Sequence, residues 1–190
     1  MIPDLYAHLP KSAQHRFAAD ARETLFRQGA VTKGLYLVLS GRVHLERVGP
    51  NGERFVIHRA TAGTSFAEAA IFSDHHHCDA VVIEEGEFMR VDKTAVLGAF
   101  AEVEFARAYG RATARQIQSQ RQLLEIVGIR NAKERVMAGL VAGLLDRTVV
   151  DFAAQLHLSH EATYRALRTL VEAGRVSNPS RGIYRLAGTP

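Results

Sequence analysis

Between Asp92 and Phe105 the hydrophobic period of this chain changes, and that change constrains its architecture more than any other feature. Before it, Leu35, Leu37 and Leu39 alternate with Tyr36 and Val38, and Val43, Leu45 and Arg47 continue the period of two beyond Gly41. Phe55 and Ile57 alternate next, and Ala80 to Ile83 form a short run rich in β-branched residues. Such alternation is what a strand with one buried face requires. Gly29, Ser40-Gly41, Pro50-Asn51-Gly52, Gly63 and Gly86 punctuate the runs. Several short strands at this spacing predict a β sandwich or barrel over residues 1–96. The opening segment, with Leu5, Leu9 and Phe17, reads as short helix.

After the change, Phe105, Tyr109, Thr113, Ile117, Gln120, Leu124 and Val127 recur at intervals of three or four, the stripe of an amphipathic helix. A helix over 97–128 spans about 45 Å, more stripe than one small sandwich can cover. Pairing with the same helix of a second copy buries it, which predicts a homodimer with those seven residues at the seam. Gly128 breaks the pattern, and a further helix is expected from Ala132 to Leu145.

Charge divides along the same line. Residues 1–100 carry 11 basic and 12 acidic groups, whereas residues 101–190 carry 13 and 8, and all but one of those 13 bases are arginine. Arginine forks onto phosphates and guanine edges, so the surplus points to a nucleic-acid partner for residues 129–190. The longest uncharged apolar stretch, Val136 to Leu145, is half of a bilayer span. No charged segment followed by an apolar one opens the chain, so nothing marks it for export, and with so short an apolar stretch no membrane partner is expected. The single Cys78 excludes an internal disulfide and fits a reducing cytoplasm.

The sharpest local signal lies between Val150 and Leu186. A short helix to Leu156 is followed by the turn His157-Leu158-Ser159 and a second helix that Ser159 caps and Gly174 stops. Thr163, Ala166, Leu167 and Leu170 fall on its inner face. His160, Glu161, Tyr164, Arg165 and Arg168 fall on one polar face weighted to the N-terminal half, as a helix-turn-helix offers side chains to a major groove. Val176 to Leu186 then reads as a hairpin across Pro179-Ser180-Arg181-Gly182, a wing whose Arg181 and Arg185 can reach phosphate.

Sandwich, long helix and winged helix-turn-helix, in that order, resemble the Crp/Fnr family of bacterial transcription regulators, an α+β architecture with a jelly-roll sensor domain. The resemblance rests on Phe26-Arg-Gln-Gly29, Leu35-Tyr-Leu-Val-Leu-Ser-Gly41, the Gly63 turn and Phe66-Ala-Glu-Ala-Ala-Ile-Phe72. Later in the chain it rests on Glu134-Arg135-Val136 and Leu158-Ser-His-Glu-Ala-Thr-Tyr-Arg-Ala-Leu167. It implies a cytoplasmic homodimer, not an enzyme, that binds a palindromic operator in double-stranded DNA, with RNA polymerase as a further partner. Glu161 and Arg165 match the family's base-reading pair, while His160 and Tyr164 occupy its variable reading positions. His157 stands where the turn glycine is expected, and the segment from Leu145 to Val149 is too short for the hairpin common before the motif.

The effector site departs from the family. Members that bind cyclic AMP show a Gly-Glu pair and, later, an Arg-Ser pair for the cyclic phosphate; here Ala67-Glu68 and His77-Cys78 stand in their places. Gln120 and Arg121 replace the base-contacting hydroxyl residues. A phosphodiester needs a fixed cation and close donors, so cyclic AMP is not the expected effector. One thiol also cannot hold an iron–sulfur cluster.

In its place the loop offers His75, His76, His77 and Cys78, with Glu68 as a further group. On an extended chain His75 and His77 point one way, His76 and Cys78 the other. Three readings stay open: a site for zinc, copper or, by resemblance to carbon monoxide sensors, haem; a redox-active thiol lowered in pKa by imidazolium; or no ligand here, leaving a ligand-independent regulator or one that takes an unrelated small molecule. His44 and His58 lie on strands and can add ligands. A rival from another class is a cupin-like metalloenzyme, but His75-x-His77 has Glu84 seven residues on and no later strand histidine.

Overall fold

The structure, a computed structural model, describes residues 4–50, 52 and 54–188. Asn51 of the expected turn lies outside the described residues. The chain packs as two units, Met1–Ala112 and Thr113–Pro190.

In the first unit, strands β1 (Gln14–Ala19), β2 (Thr24–Phe26), β3 (Gly34–Val38), β4 (Arg42–Val48), β5 (Arg54–Thr61), β6 (Ser65–Phe66), β7 (Asp79–Glu84) and β8 (Gly86–Asp92) form two antiparallel sheets. Their orders are β1-β8-β3-β6 and β2-β7-β4-β5. The alternation read in the sequence explains the sandwich. Tyr36 and Val38 face inward with Phe26, Val43, Leu45, Phe66, Ala80 and Phe88. Leu35 and Leu37 face outward, into a second cluster with Leu5, Tyr6, Leu9, Met89, Val91, Phe105 and Tyr109. With both faces covered, β3 is buried at all five positions. Each such side chain contributes about 1.5–3 kcal/mol on burial, which fastens the opening segment and the following helices to the sheet.

Two expectations are corrected here. The opening segment is short helix only in part, as the 3-10 helices Asp4–His8, which holds Leu5, and Lys11–Ala13, whereas Phe17 lies in β1, registered opposite Phe88. The long helix does not start at residue 97. A short helix α1 (Lys93–Ala99) ends in a tight turn in which Phe100, Ala101 and Glu102 bond back three residues, and α2 (Val103–Gly128) follows. The break turns Phe100 inward, its ring 5.1 Å from Phe105 and 4.9 Å from Tyr109.

In the second unit the end of α2 is followed by α3 (Ala132–Val141), α4 (Val149–Gln155), α5 (His160–Glu172) and the hairpin β9 (Val176–Ser180) and β10 (Ile183–Leu186). The Asn131 side chain caps α3 by accepting from the Lys133 and Glu134 amides. Helix α3 stops before the expected Leu145, where the Leu144 amide bonds the Gly139 carbonyl and Gly143 takes φ +70°. Val136, Leu140, Phe152, Leu156, Leu167 and Leu170 form the core. Helices α3 and α4 approach closely at Gly139, where a Cβ would stand 2.8 Å from the Phe152 ring.

Candidate nucleic-acid interface and effector turn

Helix α5 begins where its sequence says it must. Ser159 sits in extended conformation and its Oγ accepts from the Ala162 amide at 3.1 Å. Thr163, Ala166, Leu167 and Leu170 are buried, while His160, Glu161, Tyr164, Arg165 and Arg168 are exposed. The inner four lock the helix into its unit, so the outer five share one rigid platform. Glu161 and Arg165 pair at 3.2 Å with side chains 86% and 71% exposed. An ion pair this exposed is worth less than about 1 kcal/mol, so it does little to hold either side chain in place.

The turn before α5 follows the same logic. His157 has φ 51°, the left-handed conformation of the glycine it replaces. Its neighbour Leu158 bonds the Ala153 carbonyl at 3.0 Å. Arg135 braces this corner, donating from Nε to the Ile129 carbonyl (2.7 Å) and from Nη1 to the Leu156 carbonyl (3.2 Å). The sequence marks Arg135 only as a motif residue; its role depends on a partner 21 residues away. In the wing, Arg181 is exposed at the turn with Gly182 at φ +81°, and Arg185 is exposed on β10.

The expected dimer seam divides. Phe105 and Tyr109 are not available to a partner: they are 0% and 8% exposed, covered by Leu9, Met89 and Phe100 in their own unit. Thr113 and Val127 are half-buried, whereas Ile117, Gln120 and Leu124 are exposed, Leu124 at 71%. From Thr113 onward the steps are four, three, four and three, the spacing of a two-helix seam.

At the effector turn the histidines and cysteine alternate as expected. His75 and His77 are exposed; His76 and Cys78 are buried. The His76 ring lies flat on Phe26, centroids 3.6 Å apart and planes 9° from parallel. Burial, helped by the neighbouring His77, holds His76 down at about 4, so it is neutral near pH 7. Cys78 moves the other way from the redox expectation: burial pushes its thiol up, and the Arg47 guanidinium only partly opposes this. Among the described residues no three His, Cys, Asp or Glu side chains come together to hold a metal ion. The zinc or copper site expected at Glu68, His75, His76, His77 and Cys78 is therefore unsupported, because the extended chain sends its ligands to opposite faces. A buried, neutral thiol is likewise a poor axial ligand for haem iron.

Arg47, whose place on β4 the sequence reading missed as significant, donates from Nε to the His77 carbonyl at 3.2 Å and braces the turn. Its signal was the period of two that puts Arg47 on the face of Val43 and Leu45. Ala67 occupies φ +68°, a conformation suited to the family's glycine. Glu68 opens the 3-10 turn Glu68–Ala70, and its main-chain carbonyl accepts from the Tyr109 hydroxyl.

No helix among the described residues is long and apolar enough to cross a membrane. Residues 16–102 match the cyclic nucleotide-binding domain family. No curated protein matches the chain. Among solved structures, FixK2 from Bradyrhizobium japonicum is 20% identical with a TM-score of 0.72, over 91% of this chain and 92% of that one. The c-di-GMP-responsive global regulator CLP of Xanthomonas campestris is 17% identical with a TM-score of 0.67, over 94% and 96%. A transcriptional regulator of the CRP family from Thermus thermophilus is 18% identical with a TM-score of 0.63, over 91% of each chain. Residues 16–102 are thus similar to the cyclic nucleotide-binding domain family, and over nearly its whole length the chain shares its fold with FixK2, CLP and the Thermus thermophilus regulator.

Proposed function

We propose that this protein is a homodimeric regulator that reads a palindromic operator with α5 and answers to a signal other than cyclic AMP. One observation carries the reading. Five polar side chains of α5, four of them in its N-terminal half, stand exposed on a helix whose other face is locked into its unit. Glu161 accepts from a cytosine amino group and Arg165 forks onto guanine O6 and N7. His160, Tyr164 and Arg168 tune the flanking preference, Ser159 holds the helix end, and Arg181 and Arg185 meet phosphates. The seam from Thr113 to Val127 joins two copies, with the sandwich as the sensor domain and residues 129–190 as the DNA-binding domain. The absent Arg-Ser pair and the neutral His76 and Cys78 support a sandwich that does not take cyclic AMP in the family's usual way.

Selection from a random duplex library tests this. The recovered sites should be inverted repeats with half-sites one helical turn apart, about 34 Å. Failure to enrich any sequence contradicts the reading.

A further inference from the structure

A buried isoleucine and an arginine tie α3, α4 and α5 to the end of α2. Among the described residues, Ile126 is the one α2 residue in the core those three helices share. The arginine is Arg135, in the first turn of α3, which donates from Nε to the Ile129 carbonyl (2.7 Å) and from Nη1 to the Leu156 carbonyl (3.2 Å). Each carbonyl stands at a junction. Ile129 follows Gly128 directly and continues the last turn of α2, its amide bonding the Ile126 carbonyl at 3.1 Å. Leu156 closes α4, its amide bonding the Phe152 carbonyl at 3.0 Å. The next residue is His157, whose φ of 51° turns the chain towards α5.

The side chain suits a bracket between these two points. The last carbonyls of a helix have no partner within it, and a cation beside them is favourable. A bond from a charged donor is roughly twice as strong as a neutral one. The guanidinium is planar and holds its donors in fixed directions, so the two carbonyls cannot shift independently. The start of α3 is fixed as well, since the Arg135 amide bonds the carbonyl of its cap residue Asn131 at 2.9 Å. In a dimer joined along α2, the distance and angle between the two α5 helices follow from the path that leads from each α2 to each α5. Arg135 stiffens that path at its turning point.

We propose that Arg135 is the positioning residue that sets the half-site spacing the dimer accepts, by holding the end of α2 at a fixed angle to α5. This rests on the reading of α5 as the half-site reader of a dimer, and it assigns spacing to a side chain that is not one of the reading residues. One base pair added between half-sites moves them apart by about 3.4 Å and turns one against the other by about 35°. Braced reading helices do not follow such a change. Helices freed to pivot about Gly128 and Ile129 do, and Gly128 has nothing within 4 Å of where a Cβ would lie to oppose the movement.

The test is fluorescence anisotropy of the full chain with the selected operator and with duplexes whose half-sites are one base pair closer or farther apart. The parent should lose at least tenfold in affinity on either re-spaced duplex. Arg135→Met keeps an apolar stem and removes both donors, and it should lose less than threefold. Arg135→Lys carries its charge on a single nitrogen and should relax the spacing in the same way, so the fork is tested even where the Met variant fails to fold. Helical content and Tm report the folding of each. Both variants should keep the parent's discrimination against the base change to which Arg165→Ala is indifferent, which a disrupted α5 would lose. A parent indifferent to spacing, variants as sensitive to spacing as the parent, or loss of base and spacing discrimination together overturns the proposal. If the selection recovers no operator, the reading of α5 fails and the proposal falls with it; a recovered operator with unchanged spacing discrimination defeats the proposal alone.

Discussion

The Tyr109 hydroxyl donates a 3.1 Å hydrogen bond to the main-chain carbonyl of Glu68. Within the first unit this fastens α2 to the 3-10 turn Glu68–Ala70. Burial and the Glu68 charge hold the Tyr109 hydroxyl up at about 12. Because the folded value lies above the ordinary one near 10, folding favours the protonated form. Its contribution is intact below pH 10 and is lost as pH rises towards 12. Tyr109→Phe should lower stability by about 1 kcal/mol near neutral pH, the usual value of one hydrogen bond. It should also flatten the alkaline fall in stability. Urea denaturation between pH 7 and 11 measures both.

His76 supplies an acid counterpart. Its folded value of about 4 lies below the ordinary 6.5, so the unfolded chain binds a proton more readily. Stability from this group is present above pH 6.5 and declines as pH falls towards 4. His76→Phe keeps a flat ring against Phe26 and removes the titration. The variant should therefore lose less stability than the parent between pH 6.5 and 4, as followed by denaturant midpoints. Equal losses would mean that His76 does not titrate in that window.

The two ends of the α2 stripe should behave differently. Phe105 is fully buried in its own unit, and Phe105→Ala should cost about 3–5 kcal/mol of folding stability. Leu124 is exposed, and Leu124→Glu should leave a folded chain that sediments as a monomer where the parent is a dimer. Sedimentation velocity with thermal denaturation separates the two effects.

That contrast shows how far the amino-acid pattern reaches. The stripe from Phe105 to Val127 is continuous in the sequence, and nothing local says that its first two members are claimed by Leu9 and Met89. Elements built by short-range chemistry were legible: the Ser159 cap, the inner face of α5, the His157 turn and the wing all depend on neighbours within a few residues. The His75–Cys78 run was legible in its alternation but not in its meaning. Which pair turns inward is decided by Phe26, about fifty residues earlier, whose ring covers His76. Once inside, the thiol is pushed up by burial, opposite to the shift a neighbouring imidazolium would give. Arg47 and Arg135 were hidden for the same reason, since their partners are main-chain carbonyls distant in sequence.

The central claim is that α5 reads base edges through Arg165, and the direct measurement is the affinity of Arg165→Ala for the selected operator and for a scrambled duplex. The account predicts a loss of about 1–3 kcal/mol on the operator, little change on the scrambled duplex, and an intact dimer. An unchanged ratio between operator and scrambled duplex would contradict it.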